Sequence, residues 1–416
     1  MSPRSKREYI WLKSHLRDAI FVRYKNASRK AKTLILDEFC ATSGYHRKHA
    51  IRLLRGFKRF QKPSSQKRRG RPPSYHPEIV LTPLKRIWLA ANLPCSKRLK
   101  VILPLWLPGY TQLFGDLPPE TLNALVRISS ATIDRLLAPT RIQYQTRGRA
   151  TTKPGTLWPR GHLRLKKHIP IKTNQWDESR PGFLEADTVA HCGESLPGMF
   201  AYTIDCVDIA TGWTEQRAVW GKGETGVLEQ LKDIEQSLPF PLLGFDCDNG
   251  SEFLNYHLLR HFTHRNRPIQ FTRSRAYHKD DNAHIEQKNW THVRQWLGYQ
   301  RLGNPAVVPL LNNLYTQEWR LFWLQSHLRH NFFCPSMKLI TKERIGSKTI
   351  KHHDNPQTPY QRILSSPHIH PSVKQSLTQQ LETLNPFVLR KAMEKKLKTI
   401  FNSCTPRHPS TNDPPG

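Results

Sequence analysis

Three acidic residues at the ends of predicted elements could carry out metal-dependent chemistry. Asp187 lies in a predicted strand, Asp248 ends another strand, and Glu286 falls in the opening turn of a predicted helix. In a sheet covered by helices, two neighbouring strands and one helix can bring such carboxylates together. Hard oxygen ligands suit Mg²⁺ or Mn²⁺, and two ions can activate the attacking oxygen and stabilise the leaving oxygen of a phosphoryl transfer. These residues are the candidate catalytic residues and metal ligands.

Other side chains near them have plainer interpretations. Glu185 and Asp246 lie two residues before Asp187 and Asp248 on the same strand faces, so they are alternative ligands or supporting residues. The remaining candidates fit structural roles: the strand and turn acids Asp205 and Asp208, the helix first-turn acid Glu252, the structural His191, and the core rings Trp290 and Trp296.

The composition indicates a polyanionic partner. The chain has 416 residues, with 65 Lys and Arg against 32 Asp and Glu, and a net charge of +33. This excess favours nucleic acid, here double-stranded DNA. No run approaches ~18 apolar residues and the N-terminus lacks a signal-peptide core, so we expect no membrane partner and a cytoplasmic, nucleoid-associated protein. The seven cysteines lack paired spacing, which favours reduced thiols over a zinc site or disulfides.

Residues 181–303 are predicted to form the catalytic core. Three sequential strands joined by short turns predict an antiparallel meander, and the helices and strands that alternate after it predict a mixed α/β sheet with helices on its faces. The strands are predicted at 183–190, 199–207, 213–219, 242–247 and 269–272, and the helices at about 223–237, 251–264 and 283–298.

A six-residue motif and its spacing to the last acid resemble DDE transposases and retroviral integrases. The family's Asp-Asn-Gly-x-Glu-Phe is matched by Asp248-Asn249-Gly250-Ser251-Glu252-Phe253. Glu286 follows at close to the family's usual interval, and residues 273–282 resemble its flexible active-site loop. The resemblance implies a ribonuclease-H-like core in which Asp187, Asp248 and Glu286 hold two Mg²⁺ or Mn²⁺ ions. It also implies action on element ends and target DNA, and at least a homodimer, because two ends must be paired.

Residues 1–60 have the outline of a helix-turn-helix DNA-binding unit. Helical spacing over 29–40 is broken at 42–44 and resumes over 45–55. The residues predicted to face inward from the first helix are Ala31, Leu34, Ile35 and Phe39. The second helix presents Arg47, Lys48 and Arg52 as candidate contacts in a DNA groove. An ordinary helical hairpin with a solvated charged face is the alternative.

Residues 61–77 are predicted to be a basic linker, and 78–140 a second helix-turn-helix-like region. Arg69 and Arg71 lie in an Arg-Gly-Arg-Pro stretch that resembles an AT-hook, and a solvated basic linker fits equally. Residues 78–140 are predicted to be helical with a Pro-rich break at 104–119; Ser130 is predicted to cap a helix from which Arg135 contacts DNA. Residues 141–180 are predicted to be a basic connector along DNA.

Further DNA contacts are predicted within the core. His278 and Lys279 in the loop, and Lys288 and Arg294 on the following helix, are candidate phosphate contacts, with a solvated face as the alternative for the helix pair.

Residues 304–402 are predicted to form a C-terminal helical and small β region that contacts DNA or joins subunits. Its elements are an aromatic helix at 305–330, a basic hairpin at 338–350, and helices at about 371–384 and 386–401. Residues 403–416 are predicted to be a disordered tail.

Together these features predict a multidomain DNA transposase or integrase. An N-terminal all-α helix-turn-helix region would precede the α/β ribonuclease-H-like core and the small C-terminal β/α region. The resemblance implies metal-dependent cleavage at element ends and 3′-hydroxyl strand transfer into target DNA. Two alternatives remain open: a non-catalytic sequence-specific DNA-binding protein derived from a transposase, and a purely hydrolytic metal-dependent nuclease.

Overall fold

A computed structural model of the chain describes residues 16–55, 77–144, 169–172, 176–275, 283–316, 326–345 and 348–404. They belong to two compact units, Met1–Ser74 and Tyr75–Gly416. Several predicted features lie outside the described residues. They are the AT-hook-like segment with Arg69 and Arg71, most of the basic connector (residues 145–168 and 173–175), the loop with His278 and Lys279, and the tail beyond Cys404. Among the helices in the described ranges, none is long and apolar enough to cross a membrane.

In the described part of the first unit, a helical stretch over residues 16–26 precedes two helices that are joined by a glycine turn. Helix α1 spans Arg29–Ser43 and α2 spans Arg47–Leu54. Gly44 follows α1 with a φ of 68°, a left-handed conformation that glycine adopts without strain. The core of the pair is formed by Ile35, Leu36, Phe39, Ala50 and Leu54. Leu34 is 65% exposed, which corrects its predicted inward position: the helical phase turns the two residues that follow it, Ile35 and Leu36, inward instead.

Four helices open the second unit. They are α3 Pro77–Ala90, α4 Ser96–Phe114, α5 Pro119–Arg127 and α6 Ser130–Tyr144. The predicted Pro-rich break at 104–119 is wrong over most of its length, because α4 continues through Pro104 and Pro108. Proline disfavours a helix interior, and here the loss is offset by burial of Leu103, Trp106, Leu107 and Tyr110. The cap of α6 is Ser129 rather than Ser130, since its Oγ accepts the Thr132 backbone N–H at 3.1 Å.

The central sheet has five strands in the order β3–β2–β1–β4–β5. The strands are β1 Phe183–Ala190, β2 Ala201–Asp208, β3 Thr214–Trp220, β4 Gly244–Cys247 and β5 Gln270–Arg273. β2 pairs antiparallel with β1 and β3, whereas β4 runs parallel to β1 and β5. This confirms the predicted mixed sheet and is consistent with the ribonuclease-H-like core that the resemblance implied.

Helices cover both faces of this sheet. On one face lie α7 Glu224–Ser237 and α8 Tyr256–Thr263. On the other lies α9, which begins as Ala283–Lys288, continues as a π-helical stretch, Asn289–Arg294, and ends in the turn Gln295–Leu297. Val293 and Leu297 of α9 pack on Val189, Ala201 and Ala218 of the strands.

The two faces of the sheet differ in chemistry. Towards α7 and α8 the strands present apolar side chains: Leu184, Ala186, Ile204, Cys206, Phe245 and Phe271. Side chains alternate along a strand, so the intervening residues point towards α9. Those residues include four acids, which the strand register pairs as Asp187 with Asp205 and Glu185 with Asp246. Apart from the buried Glu215–Arg217 ion pair of β3, which faces α7, the first face is an apolar core, and the second carries these four acids.

The C-terminal region packs on earlier parts of the chain. Its elements are α10 Val307–Tyr315, α11 Ser326–Phe333, β6 Leu339–Ile345, β7 Lys348–His353, α12 Pro359–Ser365, α13 Pro371–Thr383 and α14 Pro386–Cys404. Helices α11 to α14 share a core with α3 to α6, and α10 and α14 pack beside α9. Because α14 reaches Cys404, the predicted tail from 403 begins two residues too early. Residues 317–325 of the predicted aromatic helix lie outside the described ranges.

Candidate active site

Asp187 is held in a dry environment on β1. Its Oδ1 accepts the backbone N–H of Thr188 and its Oδ2 accepts the side-chain amide of Asn289, both at 2.7 Å. Burial, and next the neighbouring charge of Asp248, raise the pKa of Asp187 to about 7. Asp187 and Asp248 are thus close enough to repel each other, as expected for two carboxylates that share one site.

The tight turn after β4 explains the residue types of the Asp-Asn-Gly-x-Glu motif. The Gly250 backbone N–H donates to Asp248 Oδ1 at 2.9 Å. A Cβ at Gly250 would lie 2.5 Å from Glu252 Oε2 and 2.9 Å from Asp248 Oδ1, so only glycine fits between these carboxylates. The Asn249 side-chain amide donates to the Ser274 carbonyl at 3.0 Å, which fixes the turn against the end of β5.

Glu252 has a different role from the predicted one. Helix α8 begins at Tyr256 with Asn255 as its cap, so Glu252 lies in the preceding turn and is not a first-turn acid. Its carboxylate is 2% exposed, accepts the Thr188 hydroxyl at 2.9 Å and forms an ion pair with Lys222. These bonds fasten the turn that carries Asp248 to β1.

Glu286 lies on the first turn of α9 and is exposed. It precedes Asn289 by three residues, and side chains three apart are neighbours on a helix surface. Because Asn289 donates to Asp187 Oδ2, Glu286 lies on the side of α9 that faces Asp187.

The structure brings the predicted triad together only in part. The charges of Asp187 and Asp248 interact, and Glu286 lies on the helix whose Asn289 contacts Asp187. Within the part of the chain that the structure describes, no group of three or more His, Cys, Asp or Glu side chains is close enough to hold a metal ion. The segment 276–282, immediately before α9, lies outside that part.

The alternative ligands on the same face have their own partners. Glu185 is buried and its Oε1 accepts Lys172 Nζ at 3.2 Å; burial raises its pKa. Asp246 is buried and accepts the Thr272 hydroxyl at 2.6 Å. These contacts fit the supporting role that was one of the two interpretations.

Sequence reasoning assigned Asp205 to plain strand structure and did not single out Asn289. Asp205 is fully buried directly opposite Asp187, and its Oδ1 accepts the Gln216 side-chain amide at 2.8 Å. Burial raises the pKa of Asp205 to about 7. The predicted meander contained a signal for Asp205, because the register between its first two strands determines which residue lies opposite Asp187. For Asn289 the signal was its spacing of three from Glu286.

The predicted DNA contacts fall in several environments. Lys48, Arg52 and Arg135 are exposed, and Arg47 is exposed but paired with Asp37 of α1. Lys288 is 8% exposed, which differs from a solvated face, and burial lowers its pKa to about 8. A DNA role for these residues stays a prediction.

Two side chains of α9 differ from their expected surroundings. Arg294 is half-buried and donates to the backbone carbonyls of Ala190, at 2.8 Å, and Gly298, so its local bonds account for its position. Trp290 is 47% exposed, so the predicted core position is wrong: the π-helical stretch turns His292 and Val293 inward in its place.

Comparison with known proteins places the chain in a family without a described activity. No family model matches the sequence. The chain is 38% identical over 353 residues to uncharacterized protein y4rM of Sinorhizobium fredii (strain NBRC 101917 / NGR234), across 84% of this chain and 94% of that protein. The chain belongs to the same family as y4rM.

Two solved structures show limited similarity. The catalytic core domain of BIV integrase has a TM-score of 0.27 and 15% identity, across 45% of this chain and 96% of that chain. A chain of the simian T-cell lymphotropic virus intasome in complex with PP2A regulatory subunit B56 gamma has a TM-score of 0.27 and 14% identity, across 60% of this chain and 87% of that one. Scores of this size carry no argument about the function of this chain.

Proposed function

We propose that this chain is a DNA transposase or integrase, a polynucleotidyl transferase that acts with divalent metal at Asp187, Asp248 and Glu286. The observation that carries the proposal is the half-buried Asp187, which lies close enough to Asp248 for their charges to interact and contacts Asn289 of the helix that bears Glu286. Burying two like charges together is costly, and groups arranged this way are concentrated at functional sites.

The donor set fits a hard divalent cation. The three candidate ligands offer carboxylate oxygens only, the ligand type preferred by Mg²⁺ and Mn²⁺. Nearby, Glu185 Oε2 and Asp205 Oδ2 are buried without a donor among the described residues, so the region has acceptor capacity beyond its present bonds. A bound ion would supply Lewis-acid activation of the attacking oxygen and neutralise charge on the phosphate.

The chain's own side chains set the geometry of this site. Asn289 and the Thr188 backbone N–H fix the two oxygens of Asp187. The Lys222–Glu252 pair and the Gly250 turn hold Asp248 against β1. Preorganised ligands of this kind keep reacting groups in place during an in-line displacement.

We propose in finer detail that the enzyme cuts element ends to leave a 3′-hydroxyl, which then attacks a target phosphodiester. At least two copies would act together, since two ends are joined. Double-stranded DNA is the substrate class that the net charge of +33 favours. The reaction order and the pairing are taken from the resemblance to DDE transposases.

Strand joining tests this function. The purified chain would be incubated with duplexes from the flanks of its own coding sequence and a target plasmid, with Mg²⁺, with Mn²⁺ or with EDTA. We expect joined product that needs metal and is lost in Asp248→Asn. Asp116→Asn makes the same chemical change at an exposed residue and should keep full activity.

Two other results would contradict the proposal. Cleavage without joining would indicate the hydrolytic nuclease. DNA binding with neither cleavage nor joining, in both metals, would indicate the DNA-binding protein without catalysis.

A further inference from the structure

A basic trough runs between α4, α9 and the β6–β7 hairpin of the second unit. It consists of three adjoining cavities of about 380, 520 and 610 Å³. The first two share Arg98 and Lys288 in their walls, and the second and third share Met337 and Lys351. Shared walls join the three cavities into one depression, and Met337 lines all three.

Positive charge dominates the walls of this trough. Arg98, Lys288 and Arg329 line the first cavity, together with two histidines, and no acid lies in its wall. The second cavity adds Lys338 and Lys351. The third adds Lys97 and Lys100, which are exposed.

The two acids in the walls are already engaged. Asp208 accepts the Gly182 backbone N–H at 2.8 Å and both the backbone N–H and the hydroxyl of Thr211. Asp354 accepts Arg362 Nη1 at 2.7 Å and the Lys338 backbone N–H at 2.6 Å. Both carboxylates therefore accept hydrogen bonds from donors other than the lysine side chains of the trough.

The buried cations of the trough are held by neutral groups. Lys288 Nζ donates to the Gly212 carbonyl at 3.4 Å, and Lys338 Nζ donates to two backbone carbonyls. Arg329 Nη2 donates to the Ala90 carbonyl at 3.0 Å, and the buried Nε atoms of Arg329 and Arg98 have no acceptor among the described residues. Asp205 lies near Lys288, and Asp208 and Asp354 lie near Lys338. The seven cations that line the three cavities outnumber these carboxylates, so the trough is suited to an anion.

We infer that this trough binds the phosphodiester backbone of a DNA strand. Three adjoining basic cavities offer room for more than one phosphate, which fits a polyanion better than one small anion. The inference rests on the proposed function for the choice of DNA as the polyanion, and it extends that function with a binding surface away from the carboxylates.

The position of the trough relates it to the active site. His284, Gln287 and Lys288 line it from α9, whereas Asn289 of the same helix contacts Asp187. The trough and Asp187 are therefore contacted by different residues of the same helix. A strand in the trough would lie alongside the carboxylates and hold the helix that carries Glu286.

Equilibrium binding without catalysis tests the trough. The full chain and a triple variant, Lys97→Gln, Lys100→Gln and Lys351→Gln, would be titrated onto a fluorescent DNA duplex in EDTA over a range of KCl concentrations. The slope of log K against log salt is negative, and each lost phosphate contact reduces its magnitude by about 0.9. The magnitude of the slope should therefore fall by about 2 to 3 in the triple variant. A control variant, Lys391→Gln, Lys395→Gln and Lys398→Gln, removes the same charge from exposed positions of α14 and should change the slope by less than about 1.

The outcomes are separable from those of strand joining. Two results would overturn the inference even if joining occurs. One is an equal change of slope in the two variants. The other is binding of inorganic phosphate in the trough while the trough variant keeps its full affinity for DNA. A selective fall in slope would support the trough even if joining fails. All six lysines are exposed, and matching melting temperatures would verify that both variants fold.

Discussion

The two faces of the central sheet are built from the same strands, but one face stabilises the fold and the other carries the candidate site. On the face towards α7 and α8, the rings of Phe245, Phe262 and Phe271 pack with centroids 4.9 to 5.9 Å apart, and their burial stabilises the fold. On the face towards α9, the pKa values of Asp187 and Asp205 are raised to about 7, because burial penalises their charged forms.

The difference shows how stability and chemistry share one sheet. The apolar face supplies the rigid frame on which the acidic face can keep repelling groups together. Substitutions on the acidic face should therefore reduce activity while leaving stability unchanged or improved. Substitutions on the apolar face should do the reverse.

The largest effect is expected from Asp187→Asn. The strand-joining rate should fall on the order of 10⁴-fold, because a metal ligand acts as part of a unit. Asparagine can accept only one of the two N–H bonds that Asp187 accepts, from Thr188 or from Asn289. It carries no charge to bury, which offsets that loss, so the melting temperature in EDTA should change little. Joining assays and thermal unfolding of the same preparation would check both. A large fall in melting temperature would show that Asp187 is mainly structural and would break the contrast between the faces.

Phe245→Ala probes the opposite face. Removing this fully buried ring should cost about 3 to 5 kcal/mol in the free energy of unfolding, measured by urea denaturation. Tyr256→Ala, a ring on α8 that is 49% exposed, should cost much less. A loss below about 1 kcal/mol for Phe245→Ala would mean that this face is not the stabilising one.

Asn289→Ala sharpens the account of the acidic face. Losing a partner that orients a metal ligand typically lowers metal affinity or activity by about 10- to 100-fold. We expect the metal concentration for half-maximal joining to rise, with recovery at high Mn²⁺. Gln300→Ala, at an exposed position just after α9, is the control. If the metal concentration for half-maximal joining is unchanged in Asn289→Ala, Asn289 does not orient a metal ligand.

The smallest effect is expected from Asp205→Asn, in stability against pH. The folded pKa of Asp205, about 7, lies above its unfolded value, so its contribution is present at acid pH and is lost as pH rises through about 7. Asparagine avoids that loss and should raise the melting temperature of the metal-free protein by on the order of 2 °C or more near pH 8, with little change near pH 4. A destabilisation near pH 8 would contradict the burial argument.

Much of the sheet could be predicted from the sequence because period-2 alternation and turn residues are local signals. All five strands of the core occur where they were predicted, within two residues at each boundary. Long-range packing was not predictable in this way. Helix α4 continues through Pro104 and Pro108 because of a core that it shares with C-terminal helices, and the sequence of α4 alone contains no sign of that core.

The candidate site shows the same division. Asp187, Asp248 and Glu286 could be selected from residue types and from the resemblance. The exposed Trp290 depends on a π-helical stretch in α9, which helical spacing does not reveal. The buried pairing of Asp205 with Asp187 needed the strand register.

Metal rescue in cysteine variants tests the central claim most directly. Asp187→Cys and Asp248→Cys replace a hard oxygen ligand with a softer sulfur, which tolerates Mn²⁺ better than Mg²⁺. We predict that both variants lose strand joining in Mg²⁺ and regain a measurable part of it in Mn²⁺, whereas Asp246→Cys does not show this switch. Folded variants that stay inactive in both metals, or that keep full activity in Mg²⁺, would contradict the assignment of Asp187 and Asp248 as metal ligands.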